Sequence, residues 1–330
     1  MRRVLAAALV VLSSAAMAQA PAQPRLVGDT GLHDPTWIEV DGTQIAFGTG
    51  VERAADGGAI RVKSSPDGIT WTDRGTIGQG VPDWVEAAIG AVPPNLWAPH
   101  VFEREGMYYL YFAASRFGVN TSAIGLMTNA ALDPANPTEG WVDQGIVVTS
   151  TTTDDFNAID AARIDTADGR AWLAWGSWWD GIKMRELDPV SGKLLDDSDV
   201  THSLASRGGG AIEAPSILLH EGRYYLFVSF DLCCRGIAST YRIMVGRADD
   251  VTGPYLDKDG RKMLEGGGTL VQAAAGRMRG PGGQEAFATP AGAVLVYHYY
   301  DLKAGGAPKL QISPIIWSDD GWPTLGAAVE

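Results

Sequence analysis

The chain is expected to be all-β, a five-bladed β-propeller, and three features of the sequence carry that expectation. After residue 20, no stretch longer than three helical turns keeps a clean 3.6-residue apolar period. Short β-branched and aromatic runs alternate instead with Gly, Asp, Asn and Pro turns. One unit also recurs five times: a turn glycine followed by an alternating, aromatic-rich strand.

The first twenty residues stand outside this pattern. Arg2 and Arg3 make a basic start, Val4 to Met17 is a run of apolar and small residues, and Ala18-Gln19-Ala20 has the form of a small-residue cleavage site. The run is too short to cross a bilayer, and nothing downstream approaches 18 uninterrupted apolar residues. Residues 1–20 are therefore expected to be a cleaved signal peptide and residues 21–330 a single propeller domain. Export predicts a secreted or periplasmic protein that is not inserted in a membrane.

The repeats then follow in order: Gly42-Thr43-Gln44-Ile45-Ala46-Phe47, Gly106-Met107-Tyr108-Tyr109-Leu110-Tyr111 and Gly169-Arg170-Ala171-Trp172-Leu173-Ala174. Gly222-Arg223-Tyr224-Tyr225-Leu226-Phe227 and Gly292-Ala293-Val294-Leu295-Val296-Tyr297 complete the set. A period of about 50 to 70 residues fits repeated sheets. Blades of about four strands around a channel accommodate it better than the competing arrangement, unrelated hairpins in a sandwich.

Composition narrows the function. With 330 residues, 45% apolar, the chain has material for a large core, which excludes a disordered chain. A net charge of -13 without a basic cluster excludes nucleic acid and anionic lipid as partners. The two cysteines are adjacent, so no disulfide framework staples the fold. Forty-one glycines and eleven tryptophans point to tight turns and aromatic surfaces of the kind that handle sugars.

The repeat also has a chemical phase. Eight or nine residues before the five turn glycines stand Asp34, Trp97, Asp160, Glu213 and Gln284. On innermost strands, one phase means one radius and one height, so these side chains are expected to converge at one mouth of the channel. Three carboxylates there suit glycoside hydrolysis, in which one protonated carboxyl assists the leaving oxygen and one carboxylate activates water or attacks carbon. A third acid can raise the pKa of the proton donor. Taken singly, each acid reads equally as a turn or capping residue; sharing a phase with an aromatic platform, they point to catalysis.

These residues carry a resemblance. His33-Asp34-Pro35, Asn95-Leu96-Trp97-Ala98-Pro99, Asn157-Ala158-Ile159-Asp160, Gly176-Ser177-Trp178-Trp179 and Ala211-Ile212-Glu213-Ala214-Pro215 stand in order along the chain. Ser229 to Gly236, Thr252-Gly253-Pro254-Tyr255 and Gly280-Pro281-Gly282-Gly283-Gln284 follow. In this order and spacing the sequence resembles glycoside hydrolase family 43, most closely its endo-α-1,5-L-arabinanase branch. The resemblance implies a five-bladed propeller, inversion at the anomeric carbon, and a monomer acting on arabinan and arabino-oligosaccharides. It makes Asp34 the general base, Glu213 the general acid and Asp160 the residue that tunes and orients that acid. It makes Trp97 a stacking platform and places Asn157, Ser177, Trp178 and Gln284 near the sugar. Core packing competes as a reading for Trp97 and Trp178, and a turn hydroxyl for Ser177.

Two positions depart from the family pattern. His100 stands where an Asp often follows Trp-Ala-Pro, and Gly283 stands where many arabinanases place a histidine that holds a hydrated calcium or similar ion. No cofactor is required by the sequence, and the metal stays unassigned; His298 reads first as a strand histidine. Cys233 and Cys234 form either a vicinal disulfide or two thiols in a tight turn. An exo-acting arabinofuranosidase or β-xylosidase on the same fold, and a propeller that binds sugar without cleaving it, are the competing functions.

Overall fold

The computed structural model describes residues 23–327 apart from positions 53, 54, 56, 79 and 197, so the expected signal peptide lies outside the described residues. Five sheets follow one another along the chain. Their innermost strands are Thr36–Val40, Trp97–Arg104, Ala162–Asp165, Ile212–His220 and Met278–Thr289. Each lies beside the next and the last lies beside the first, which closes the ring of a five-bladed propeller. Blade 1 gains an extra outer strand, Val27–Gly28, parallel to Thr70–Thr76. The one α-helix among the described residues is short, Trp84–Ile89.

Turn chemistry explains the repeat. In blades 1, 2 and 4 the hairpin after the inner strand is two residues long, and both are left-handed. These are Asp41 and Gly42 (φ 48 and 74), Glu105 and Gly106 (53 and 83), and Glu221 and Gly222 (47 and 77). Two positive φ values in succession make the primed turn whose twist matches the flanking strands. Blade 5 differs: Pro290 and Ala291 form the turn, and Gly292 opens the next strand.

Each sheet is covered by a neighbour on both faces, so its strands are apolar on both. In Met107–Ala114, Tyr109 and Tyr111 pack toward blade 3 while Leu110 and Phe112 pack toward blade 1. Five apolar clusters result, one in each seam between blades. Fully burying one such side chain is worth about 1.5–3 kcal/mol, so the seams hold the ring. The ends are tied as well: the Gln23 N–H donates to Ala327 O at 2.9 Å, and its side-chain amide donates to Gly326 O at 2.9 Å.

A buried polar network joins four blades at the channel. His100 Nε2 accepts the Arg163 N–H at 3.0 Å, which leaves its proton on Nδ1, 3.0 Å from Glu285 Oε1. Glu285 Oε2 accepts the Thr36 hydroxyl at 2.7 Å, and Thr36 Oγ1 accepts the Val101 N–H at 3.0 Å. The departure at position 100 thus has a partner: the histidine donates to a carboxylate supplied by blade 5. Burial raises the Glu285 carboxyl, and the His100 contact opposes that rise.

Candidate active site

A left-handed residue interrupts or precedes each inner strand: Asp34 (φ 46), Ala98 (38), Asp160 (59), Ala214 (53) and Gly283 (55), the last in a strand that also holds left-handed Gly280 (49). Four of them are not glycine, and each such residue costs of order 1–3 kcal/mol, a strain typical of functional sites. In three blades the ladder breaks at this residue, with pairing that jumps from Trp97 to His100, from Glu213 to Ser216 and from Gly282 to Glu285. Such bulges re-aim side chains, here toward the channel mouth.

The expectation of one radius and one height needs correction. Asp34 and Asp160 are themselves left-handed, whereas Trp97 and Glu213 precede the left-handed residue of their blades and Gln284 follows it. The side chains are therefore staggered. All five nevertheless line one cavity of about 980 Å³, together with Asn157, Ser177 and Trp178.

Asp34 is held by one oxygen. Its Oδ2 takes the Thr49 hydroxyl at 2.7 Å and His33 Nδ1 at 2.7 Å. Its backbone N–H donates to His298 Nδ1 at 3.1 Å, which fixes the His298 proton on Nε2. His298 stacks on His33 with centroids 3.8 Å apart. Burial works to raise the Asp34 carboxyl, but the charge and hydrogen bond of His33, then the Thr49 hydrogen bond, hold it well below the usual carboxylate range. Asp34 is an ionised carboxylate with Oδ1 outside these hydrogen bonds, the state a base requires.

Glu213 lies in the opposite state. Ser177 Oγ donates to its Oε2 at 2.5 Å and the Tyr241 hydroxyl donates to Oε1. Burial pushes the Glu213 carboxyl up to about 7; the Ser177 bond works against that rise and the Asp34 charge adds to it. Burial, then the charges of Glu213 and Asp34, also push Asp160 well up, although Asp160 Oδ2 accepts the Ala214 N–H at 3.0 Å. The pair keeps a proton at a pH where an exposed carboxylic acid has lost it.

The remaining expected residues divide by what their polar atoms do. Gln284 accepts the Ser229 hydroxyl at 2.7 Å and donates to Ala214 O at 2.7 Å, so its buried amide braces the residue after Glu213. Asn157 accepts the Ser122 hydroxyl at 2.6 Å and donates to Val119 O at 3.4 Å, an arrangement that steadies the cavity wall. Ser177 contacts the acid and is no idle turn hydroxyl. Trp97 is half-buried with its indole N–H on Asn95 Oδ1 at 2.9 Å, and Trp178 is 38% exposed at the cavity rather than packed between blades. Thr49, Tyr241 and Tyr300 escaped the sequence reading: Thr49 and Tyr241 bond Asp34 and Glu213, Tyr300 bonds His33, and no local motif marks them. Phe117, 80% exposed on the cavity rim, escaped it too.

His33, Asp34 and His298 bring potential metal-ligand atoms within 4.8 Å of one another. Two imidazoles and one carboxylate do not suit calcium, which takes six to eight oxygens. Both His33 nitrogens are also engaged, by Asp34 and by the Tyr300 hydroxyl, and His298 Nδ1 accepts the Asp34 N–H. Gly283 brings no ligand. The residues present do not fit a directly held calcium ion.

The sequence model of glycosyl hydrolases family 43 matches residues 25–323. The chain belongs to this family. Among family 43 relatives, an extracellular endo-α-(1→5)-L-arabinanase of Bacillus subtilis is 41% identical over 97% of this chain and 94% of its own length. An extracellular exo-α-(1→5)-L-arabinofuranosidase of Cellvibrio japonicus is 38% identical, over 89% of this chain and 86% of its own. The solved family 43 endo-arabinanase of Bacillus licheniformis superposes with a TM-score of 0.84 at 40% identity, over 91% of this chain and 99% of that one.

Proposed function

We propose that this family 43 member is an exported, inverting hydrolase that cleaves internal α-1,5-L-arabinofuranosidic bonds of arabinan. The observation that carries the reading is the contrast between two carboxyls lining one cavity, Asp34 held down by His33 and Thr49 and Glu213 pushed up by burial. Acid and base assignments follow where environments drive two such groups apart. Glu213 gives its proton to the glycosidic oxygen as the bond to the anomeric carbon breaks. Water forms the new bond from the opposite face and loses its proton to Asp34 Oδ1. Asp160 keeps Glu213 protonated and braces it through Ala214, and Trp97 offers a ring face to the sugar.

The extracellular endo-acting relative at 41% identity supports both the bond and the export. The Cys233–Cys234 disulfide fits an oxidising compartment, and no helix among the described residues is long and apolar enough to cross a membrane. The working unit is proposed to be a monomer. The exo-acting Cellvibrio relative makes chain-end release the second reading. Reducing-sugar release from linear arabinan tests the hydrolase itself, and the absence of turnover would leave a sugar-binding propeller. The length of the earliest products separates the two modes: a ladder of oligosaccharides supports endo action, and a single short product supports exo action.

A further inference from the structure

The mechanism leaves the paired cysteines without a role. Cys233 and Cys234 are bonded to each other and line the cavity, on the loop after the second strand of blade 4, Arg223–Phe230. Cys234 is left-handed, with φ 65, which turns its N–H onto the Tyr300 oxygen at 2.8 Å. Tyr300 Oη lies 2.6 Å from His33 Nε2, and His33 Nδ1 lies 2.7 Å from Asp34 Oδ2. The backbone N–H can only donate, so the tyrosine oxygen accepts it. Tyr300 and His33 share the next proton, and the imidazole Nδ1–H ends on the carboxylate. The chain of donors runs from the disulfide turn to the base, across blades 4, 5 and 1.

We infer that the Cys233–Cys234 disulfide is a positioning element for Asp34, acting through Tyr300 and His33. The bond closes a small ring through the intervening peptide and holds the Cys234 N–H in one direction, a constraint that two free thiols lack. That N–H fixes the phenol, the phenol fixes the imidazole, and the imidazole anchors Oδ2 so that Oδ1 meets the water. Linked hydrogen bonds of this kind strengthen one another where water is partly excluded, as it is at these part-buried groups. This rests on the reading of Asp34 as base. A wall element that merely touched sugar would act on substrate binding instead.

The test compares kcat and KM on linear arabinan for the oxidised protein, the protein reduced with a phosphine, and Cys233→Ser/Cys234→Ser, which needs no reductant to reach the bond. Each is repeated in Tyr300→Phe, which keeps the ring and removes the hydroxyl, and thiol alkylation followed by mass measurement confirms the redox state. Opening the disulfide is expected to lower kcat about three- to tenfold, the effect of losing one hydrogen bond, with KM within about twofold. Tyr300→Phe should show a similar loss, and opening the disulfide in that variant should then add nothing. An unchanged kcat, a change confined to KM, or independent effects that multiply in the combined variant each overturn the inference. Asp34→Ala, measured alongside, keeps the two claims apart: if it stays active, the base assignment fails. If it is inactive while the disulfide has no effect on kcat, only the positioning role fails.

Discussion

Asp160 accepts the backbone N–H of Ala214 at 3.0 Å, and Ala214 is the left-handed residue directly after Glu213. One carboxyl group therefore braces the backbone that aims the proposed acid and titrates together with it. Gln284 grips the following peptide unit through Ala214 O.

The pH profile follows from this coupling. Glu213 must be protonated to act, so activity is expected to fall as pH rises through about 7, the value to which burial lifts it. In the proposed mechanism the proton the pair retains sits on Glu213 and Asp160 carries the charge, so Asp160→Asn should move the alkaline limb to lower pH. The check is kcat/KM against pH for both proteins. An alkaline limb that stays in place would limit Asp160 to a role in positioning.

At the acid end the sign reverses. Asp34 must be ionised, and its carboxyl lies below the usual range, so no loss of activity is expected near the ordinary carboxylate pKa. Asp34→Ala should lower turnover about 10²–10⁴-fold while arabino-oligosaccharide binding, followed by calorimetry, is largely kept. Activity within a few fold of the unmodified protein would remove Asp34 from the mechanism.

Gly283 gives Asp34 its room. A Cβ at this position would overlap Asp34 Oδ1 and come within 2.8 Å of His298 Nδ1. Gly283→Ala is expected to displace the carboxylate and lower kcat about 10²-fold, as small misplacements of reacting groups do. KM should change little. Kinetics with a thermal melt check this, and unaltered kcat in a folded variant would show that Asp34 tolerates the shift.

His100→Ala leaves Glu285 and the Arg163 N–H without their partner in a buried network. Leaving a buried hydrogen-bonding group without its partner costs about 1–3 kcal/mol, so denaturant unfolding should show a loss of that order. A loss below about 1 kcal/mol would mean that water or a rearranged Glu285 takes over.

The parts of this fold that the sequence makes legible are those set by neighbours along the chain. Asp41-Gly42, Glu105-Gly106 and Glu221-Gly222 announce their hairpins because a primed turn needs two left-handed residues in succession. The carboxylates are legible because each stands eight or nine residues before the turn glycine of its blade. Tyr241 and Tyr300 are not, because they meet Glu213 and His33 only after the sheets have packed. Gln284 and Asn157 line the cavity that holds the carboxylates, but their hydrogen bonds to Ala214, Ser229, Ser122 and Val119 depend on bulges and loop crossings that no local pattern encodes.

The division of labour between Glu213 and Asp34 is tested most directly by leaving-group dependence. Glu213→Ala and Asp34→Ala are each assayed on linear arabinan and on a nitrophenyl arabinofuranoside. An alkoxide needs protonation to leave, whereas a nitrophenolate departs almost unaided. Glu213→Ala should therefore lose about 10²–10⁴-fold more activity on arabinan than on the aryl substrate. Asp34→Ala should lose activity on both alike, because water must be activated whichever group leaves. Equal losses on the two substrates for Glu213→Ala would contradict the account.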